Sequence, residues 1–138
     1  MLDGLIYFMF NHLATLILII YGECENCLFE EKQAVAHVYL NRLESEYKFR
    51  SVEEDFKGYT REMKITNKLE REAFKESVQA ALRAIYDHYV SRKDLTDGAV
   101  FFALKEKYGN IDMSKIFGVE VEPVEISNNF KHMFFRIK

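Results

Sequence analysis

Apolar positions along the chain change their spacing several times, and each change predicts an element. The first twenty residues, MLDGLIYFMFNHLATLILII, are mostly apolar. Asn11, His12 and Thr15 interrupt them, and the unbroken stretch Leu16 to Ile20 is far short of the ~20 residues that a bilayer requires. A buried helix is therefore expected, ending near Tyr21-Gly22-Glu23, where Gly22 can close it or allow a close backbone approach. A second helix is predicted over about 30–44. Val35, Val38 and Tyr39 fall on one side and Ala36, Leu40 and Leu43 on another, the pattern of a helix central in its domain. From Glu44 to Lys68 the chain is charged and irregular, with Gly58 as a turn signal and Val52, Phe56, Met63 and Ile65 as short anchors. Phe74, Val78, Leu82, Ile85 and Tyr89 recur at spacings of three and four, predicting a third helix over about 70–90.

Beyond it the period shortens. Thr96-Asp97-Gly98 reads as a turn. Two short strands are predicted, at 99–104 and 132–137. In the second, Met133, Phe135 and Ile137 alternate with His132, Phe134 and Arg136, which places an imidazole and a cation on one face. Helices dominate and strands gather late, so the predicted class is α+β, mainly helical.

Length bounds this to one domain over 1–138, with residues 1–12 as an N-terminal extension of the first helix. Hydrophobic residues at 49% and charged residues at 30% exclude a disordered chain. Lys and Arg number 19 against 22 Asp and Glu, a net charge of -3, which argues against a nucleic-acid binder. No Lys or Arg precedes the apolar opening and no small-x-small site follows it, so no export signal is read.

Glu23 stands out for chemistry. A carboxyl at the edge of an apolar wall is expected to hold its proton more firmly, which suits general-acid work on a glycosidic oxygen; the plain alternative is a solvated Glu past a helix end. Cys24 and Cys27 form a lone C-x-x-C. Zinc needs about four ligands, there is no second cysteine pair, and His12, His37, His88 and His132 lack ligand spacing, so no metal site and no cofactor are read. A redox pair would need a thioredoxin-like βαβ setting. Two half-buried thiols after a helix are the expectation. Asp97, Glu62 and the cluster Glu53-Glu54-Asp55 are second carboxylates, the cluster being read as a solvated face. His132 and Arg136 share a strand face beside Phe134; the alternative for them is a strand edge with polar residues outward.

IYGECENCLFEEKQAVAHVYLNRL resembles the opening motif of the cell-wall hydrolase family typified by the spore cortex-lytic enzymes. Tyr21-Gly22-Glu23, Glu31 and Gln33, Ala34-Val35-Ala36 and Leu40-Asn41-Arg42 stand at the motif's spacings. Thr96-Asp97-Gly98-Ala99-Val100-Phe101-Phe102 is similar to the family's Thr-x-Gly-Ala-x-Tyr-Phe block, and His132-Met133-Phe134-Phe135-Arg136 to its closing His-x-Phe-Tyr-Arg. The chain also departs from the pattern. Cys24 and Cys27 replace an Ala and a second Glu, Lys32 replaces a Gly, Phe130 stands where a Gly precedes the closing His, and Glu62-Met63 stands in for a central Gln-Phe.

The resemblance implies a lysozyme-like domain that cuts peptidoglycan between N-acetylmuramic acid and N-acetylglucosamine, with Glu23 as catalytic acid. It implies a lytic transglycosylase that needs no second carboxylate, whereas a hydrolase would hold a partner at ~5–5.5 Å or ~6.5–9.5 Å. Glu62, Thr96, Phe102 and His132 would line the sugar groove. The partner implied is the peptidoglycan strand, with no nucleic acid and no membrane span. The place of action implied is the bacterial wall, in the periplasm or outside. A phage-encoded protein, released at lysis or carried in the virion with its apolar N-terminal segment against a protein partner, would reach it without an export signal. Two other readings stay open: a non-catalytic structural or wall-docking component of a larger assembly, and a small membrane-associated protein.

Overall fold

A computed structural model describes residues 2–45 and 65–138. The irregular segment's anchors at Val52, Phe56 and Met63, its turn at Gly58, the cluster Glu53 to Asp55 and the candidate Glu62 lie outside the described residues. The apolar opening forms two helices, α1 (Leu2–Asn11) and α2 (Leu13–Cys24), which meet at His12. The break corrects the expected single helix. α1 leaves Ile6, Tyr7 and Met9 exposed, whereas α2 buries Leu16, Ile19 and Ile20 completely. Gly22 does not end α2, which continues through Cys24. Among the described residues, no helix is long and apolar enough to cross a membrane.

Helix α3 (Phe29–Glu44) is the centre of the fold, buried at every position from Glu31 to Leu40. Such a helix has no face on which to leave its charges, so they find partners instead. Lys32 reaches Glu76 at 3.1 Å, Arg42 lies over the Phe101 ring at 5.4 Å, and Glu31 and His37 point into polar clusters described below.

Helix α4 (Lys68–Tyr86) packs across both α2 and α3. Its start is written into the sequence. The Asn67 side chain accepts the Glu70 N–H at 2.8 Å, while the Glu70 carboxylate accepts the Thr66 hydroxyl at 2.7 Å, so helix-end donors and cap residues satisfy one another. A π-helical turn over Asp87–Ser91 extends α4.

Strand β1 (Phe101–Leu104) is followed by two short helices, α5 (Lys105–Tyr108) and α6 (Met113–Phe117), then β2 (Val121–Val124) and β3 (His132–Ile137). The strands form one antiparallel sheet in the order β1-β3-β2. The fold is thus α+β and mainly helical, as the periodicity predicts. β2 was not foreseen: four residues, including Pro123 and Glu122, carry too little alternation to read. Period two still decides the faces of β3. Phe134 joins the helical core with Leu16, Val35 and Ala84. Phe135 joins a smaller cluster with Phe101, Met113 and Val121, in which the Phe101 and Phe117 rings stack at 4.1 Å. Both faces of the sheet are covered, so β3 is an interior strand and not the polar edge that was one of its readings.

Candidate functional site: a buried polar frame joining three sequence blocks

The start of α3 and the start of β3 meet at Glu31, which is 1% exposed. One of its carboxylate oxygens accepts the backbone N–H of His132 at 3.0 Å and the His132 ring Nδ1–H at 2.6 Å; both oxygens accept the Lys131 N–H at 3.0 Å. An ionised carboxylate is acceptor-only, which assigns the proton to Nδ1. Burial pushes the Glu31 carboxyl up, and the His132 and Lys131 N–H groups more than reverse it, holding the acid below its ordinary value.

Nearly three turns later along α3, Asn41 does the same for the turn before β1. Its amide donates to the Asp94 carboxylate at 2.8 Å and to the Ala99 carbonyl at 2.9 Å. Asp94 also accepts the Thr96 N–H at 2.8 Å, the Thr96 hydroxyl at 2.6 Å and the Gly98 N–H at 3.0 Å. Burial raises this carboxyl too, yet the bonds from Thr96 and Asn41, with His37 nearby, keep it below the usual carboxylate range. The turn so held has both central residues at positive φ, Asp97 at 49° and Gly98 at 85°, as in a type I′ turn. A glycine at 98 and a short polar residue at 97 are the types that tolerate this backbone.

The turn and the last strand are joined in their turn by Arg136, which donates to the Asp97 carboxylate and, at 2.8 Å, to Glu122. A cavity of about 330 Å³ opens beside this link, lined in part by Asn41, Glu44, Asp97, Gly98 and Arg136. Next to it in the interior, His37 is completely buried with Nδ1 3.5 Å from Asp94 and its ring 6.0 Å from that of His88. Burial, the largest influence, lowers the His37 pKa, the Asp94 charge opposing and His88 adding to it.

Among the described residues, each one singled out from sequence has a definite place; Glu62 lies outside them. Glu23 is the penultimate residue of α2, half-buried, one position before Cys24. Thr96 is completely buried, with its hydroxyl spent inside the turn. His132 is 4% exposed and held by Glu31. Phe102 is half-buried, edge-on to the His132 ring at 5.2 Å. The structure brings Phe102 and His132 together, places Thr96 in the separate Asn41 cluster, and sets Glu23 in the last turn of α2, next in the chain to Cys24, which converges with Glu31 and His132.

The cysteines correct their expectation. Cys24 and Cys27 are buried, at 1% and 9%, and joined as a disulfide. The bridge needs no βαβ unit, because Cys27 N–H bonds the Cys24 carbonyl at 3.1 Å and this single turn brings the two Cα atoms to 5.0 Å. Sequence reasoning also passed over Glu31 and Asn41 as site residues; their signal was present as the polar positions of an otherwise apolar helix. Nor did it see that Cys24, Cys27, Glu31 and His132 converge, their donor atoms all within 4.8 Å of one another. His132 is about a hundred residues from the others in the chain and has no local spacing to betray it. No family model, curated protein or solved structure matches the chain.

Proposed function

We propose that the protein cleaves peptidoglycan glycan strands as a lytic transglycosylase, with Glu23 as the catalytic acid and then base. One observation carries this reading. The three sequence blocks that resemble the spore cortex-lytic cell-wall hydrolases are the ones that hydrogen bonds tie together: Glu31 of the first to His132 of the last in the interior, Asn41 of the first to the buried Thr96 and Ala99 of the second, and, at the surface, Arg136 of the last to Asp97 of the second. Chance matches scattered through a chain have no reason to contact one another through hydrogen bonds. These bonds support the reading by holding α3, the turn before β1 and the sheet in one register, and we propose that Glu23 works at the edge of that frame.

The chemistry follows from one carboxyl group. Glu23 sits half-buried in the last turn of α2. It would give its proton to the bridging oxygen between N-acetylmuramic acid and N-acetylglucosamine, and the glycosidic bond breaks with positive charge on the sugar. As carboxylate it then takes the proton from that sugar's C6 hydroxyl, whose oxygen closes on C1 as a 1,6-anhydro product. No activated water enters, so Cys27 in place of a second Glu does not stop the reaction. Phe102 offers an aromatic edge to the glycan, while Thr96 and His132, both buried, would act from behind by fixing the turn and β3.

The test is muropeptide release from purified sacculi. Wild-type protein should yield anhydro ends by mass spectrometry, and Glu23→Gln should lose activity by a factor of a hundred or more, on the order of general-acid contributions. Full activity in Glu23→Gln would overturn the mechanism, and reducing ends would turn it to hydrolysis. Exposed Ile6, Tyr7 and Met9 on α1 favour a second reading, in which the domain docks on a larger assembly near the wall without cutting it. Sacculus binding with no release of muropeptides is its signature.

A further inference from the structure

The convergence of Cys24, Cys27, Glu31 and His132 is not used by the glycan chemistry. We propose that these four side chains form a redox-exclusive metal site: with the disulfide reduced, they bind one borderline-soft divalent cation of the zinc type, and with it closed they bind none.

The donor set suits such an ion. Two thiolates, an imidazole and a carboxylate are typical zinc ligands, and C-x-x-C is the usual chelating spacing for the thiolate pair. The ligands come from three elements: the end of α2 and the loop after it, the first turn of α3, and the first residue of β3. All four are buried, between 1% and 9% exposed, so water does not compete. Their donor atoms span at most 4.8 Å. Zinc bonds of about 2.0–2.3 Å set neighbouring donors roughly 3.3–3.8 Å apart in a tetrahedron. The Glu31 oxygen and His132 Nδ1, 2.6 Å apart with the metal absent, need only open by about 1 Å, and the two sulfurs, once unbonded, a separation that a C-x-x-C turn allows. The Lys131 and His132 N–H groups already orient the Glu31 carboxylate, in the way that outer hydrogen bonds orient ligating carboxylates.

The steps balance. A dithiol donor closes its own disulfide and passes two electrons and two protons to the Cys24–Cys27 bond, which opens to two thiols. The cation then displaces both thiol protons to solvent and takes their sulfurs as thiolates, while the His132 proton passes from Nδ1 to Nε2 so that Nδ1 can ligate beside Glu31. Reoxidation by a disulfide reverses both steps and expels the ion. The site does not depend on the glycan-cleaving reading, since its ligands exclude Glu23.

The experiment uses the full chain and cobalt(II) as probe. A trialkylphosphine reduces the bridge, its phosphorus taking an oxygen from water, and far-UV circular dichroism records the fold before and after metal. The reduced protein should gain thiolate-to-cobalt charge-transfer absorption and intense tetrahedral visible bands, both discharged by zinc. The unreduced protein should show neither. His132→Gln should weaken cobalt binding by about ten- to a hundred-fold, and Cys27→Ser should remove the charge-transfer band. A reduced chain that unfolds and refolds on adding metal also supports the site. Overturning results are a folded, reduced protein without the band, a reduced chain that metal does not refold, or a Cys27→Ser protein that keeps the wild-type spectrum.

Discussion

Replacing Glu31 by Ala tests the frame where the structure concentrates it. The oxidised protein loses an acceptor for three N–H groups: the amides of Lys131 and His132 and the His132 ring. Lys131 is an exposed residue, so water can replace the carboxylate there, but His132 is 4% exposed and two of its donors are left without an acceptor. Each buried unsatisfied donor costs about 1–3 kcal/mol, so the two left on His132 cost about 2–6 kcal/mol together. That is a large share of the ~5–15 kcal/mol available to a domain, and it corresponds to a fall in Tm of about 10–20 °C at this size. Glu31→Gln keeps the shape and one acceptor oxygen but points an NH₂ at N–H donors, so its cost should be nearer 2 kcal/mol. Urea denaturation followed by circular dichroism gives the free energies, and amide hydrogen exchange locates the loss, with His132 exchanging faster and the middle of α4 unchanged in relative order. A Glu31→Ala protein within about 1 kcal/mol of wild type would refute the idea that this carboxylate holds β3 to α3.

Further outcomes follow from the same contacts. Asn41→Ala removes the donor shared by Asp94 and Ala99 and should cost about 1–3 kcal/mol in the same titration, with faster proteolysis at the 94–99 turn. Stability should fall with acid in two stages. His37 has a lowered pKa, so below about pH 6.5 the unfolded chain takes up a proton that the folded one refuses. Glu31 and Asp94, also lowered, add a second loss as pH drops through the ordinary carboxylate range toward their folded values. A denaturation midpoint that is flat from pH 7 to 4 would contradict both assignments. Replacing both Cys24 and Cys27 by Ser should cost only about 2 kcal/mol, since the bridge closes a very short loop, and the urea midpoint should fall accordingly.

The parts legible in the sequence are those whose cause is local. The stripe from Phe74 to Tyr89 needs only the 3.6 period to be seen, and α4 occupies Lys68–Tyr86 with its π-helical extension. The all-round apolar character of residues 30–44 marks α3 as central, because a helix without a polar face has nowhere else to go. Gly98 announces a turn, and β3 appears at the residues where alternation predicted it. The chain's chemistry was less open to reading. His12 divides an apolar run that composition alone presents as continuous, and the break decides that α1 stays exposed while α2 becomes core.

What the sequence determines by itself, then, is the α+β class and the type of the strongly periodic elements, since periodicity is a property of a segment and its immediate neighbours; which face turns inward is less fixed, for α4 buries Ser77, Ala81 and Ala84 while Leu82 of the apolar stripe stays exposed. What only the tertiary structure decides is which polar groups become partners. Glu31 meets His132 across a separation of 101 residues, Asn41 meets Ala99 across 58, and Cys24 meets Cys27 with both beside that distant histidine. No local pattern encodes the pairs that Glu31 and Asn41 make, nor the place of His132 beside the C-x-x-C. A buried polar group must find an acceptor or donor wherever the packing of apolar faces brings one, so the frame and its candidate metal site emerge only after the helices and the sheet have closed on each other.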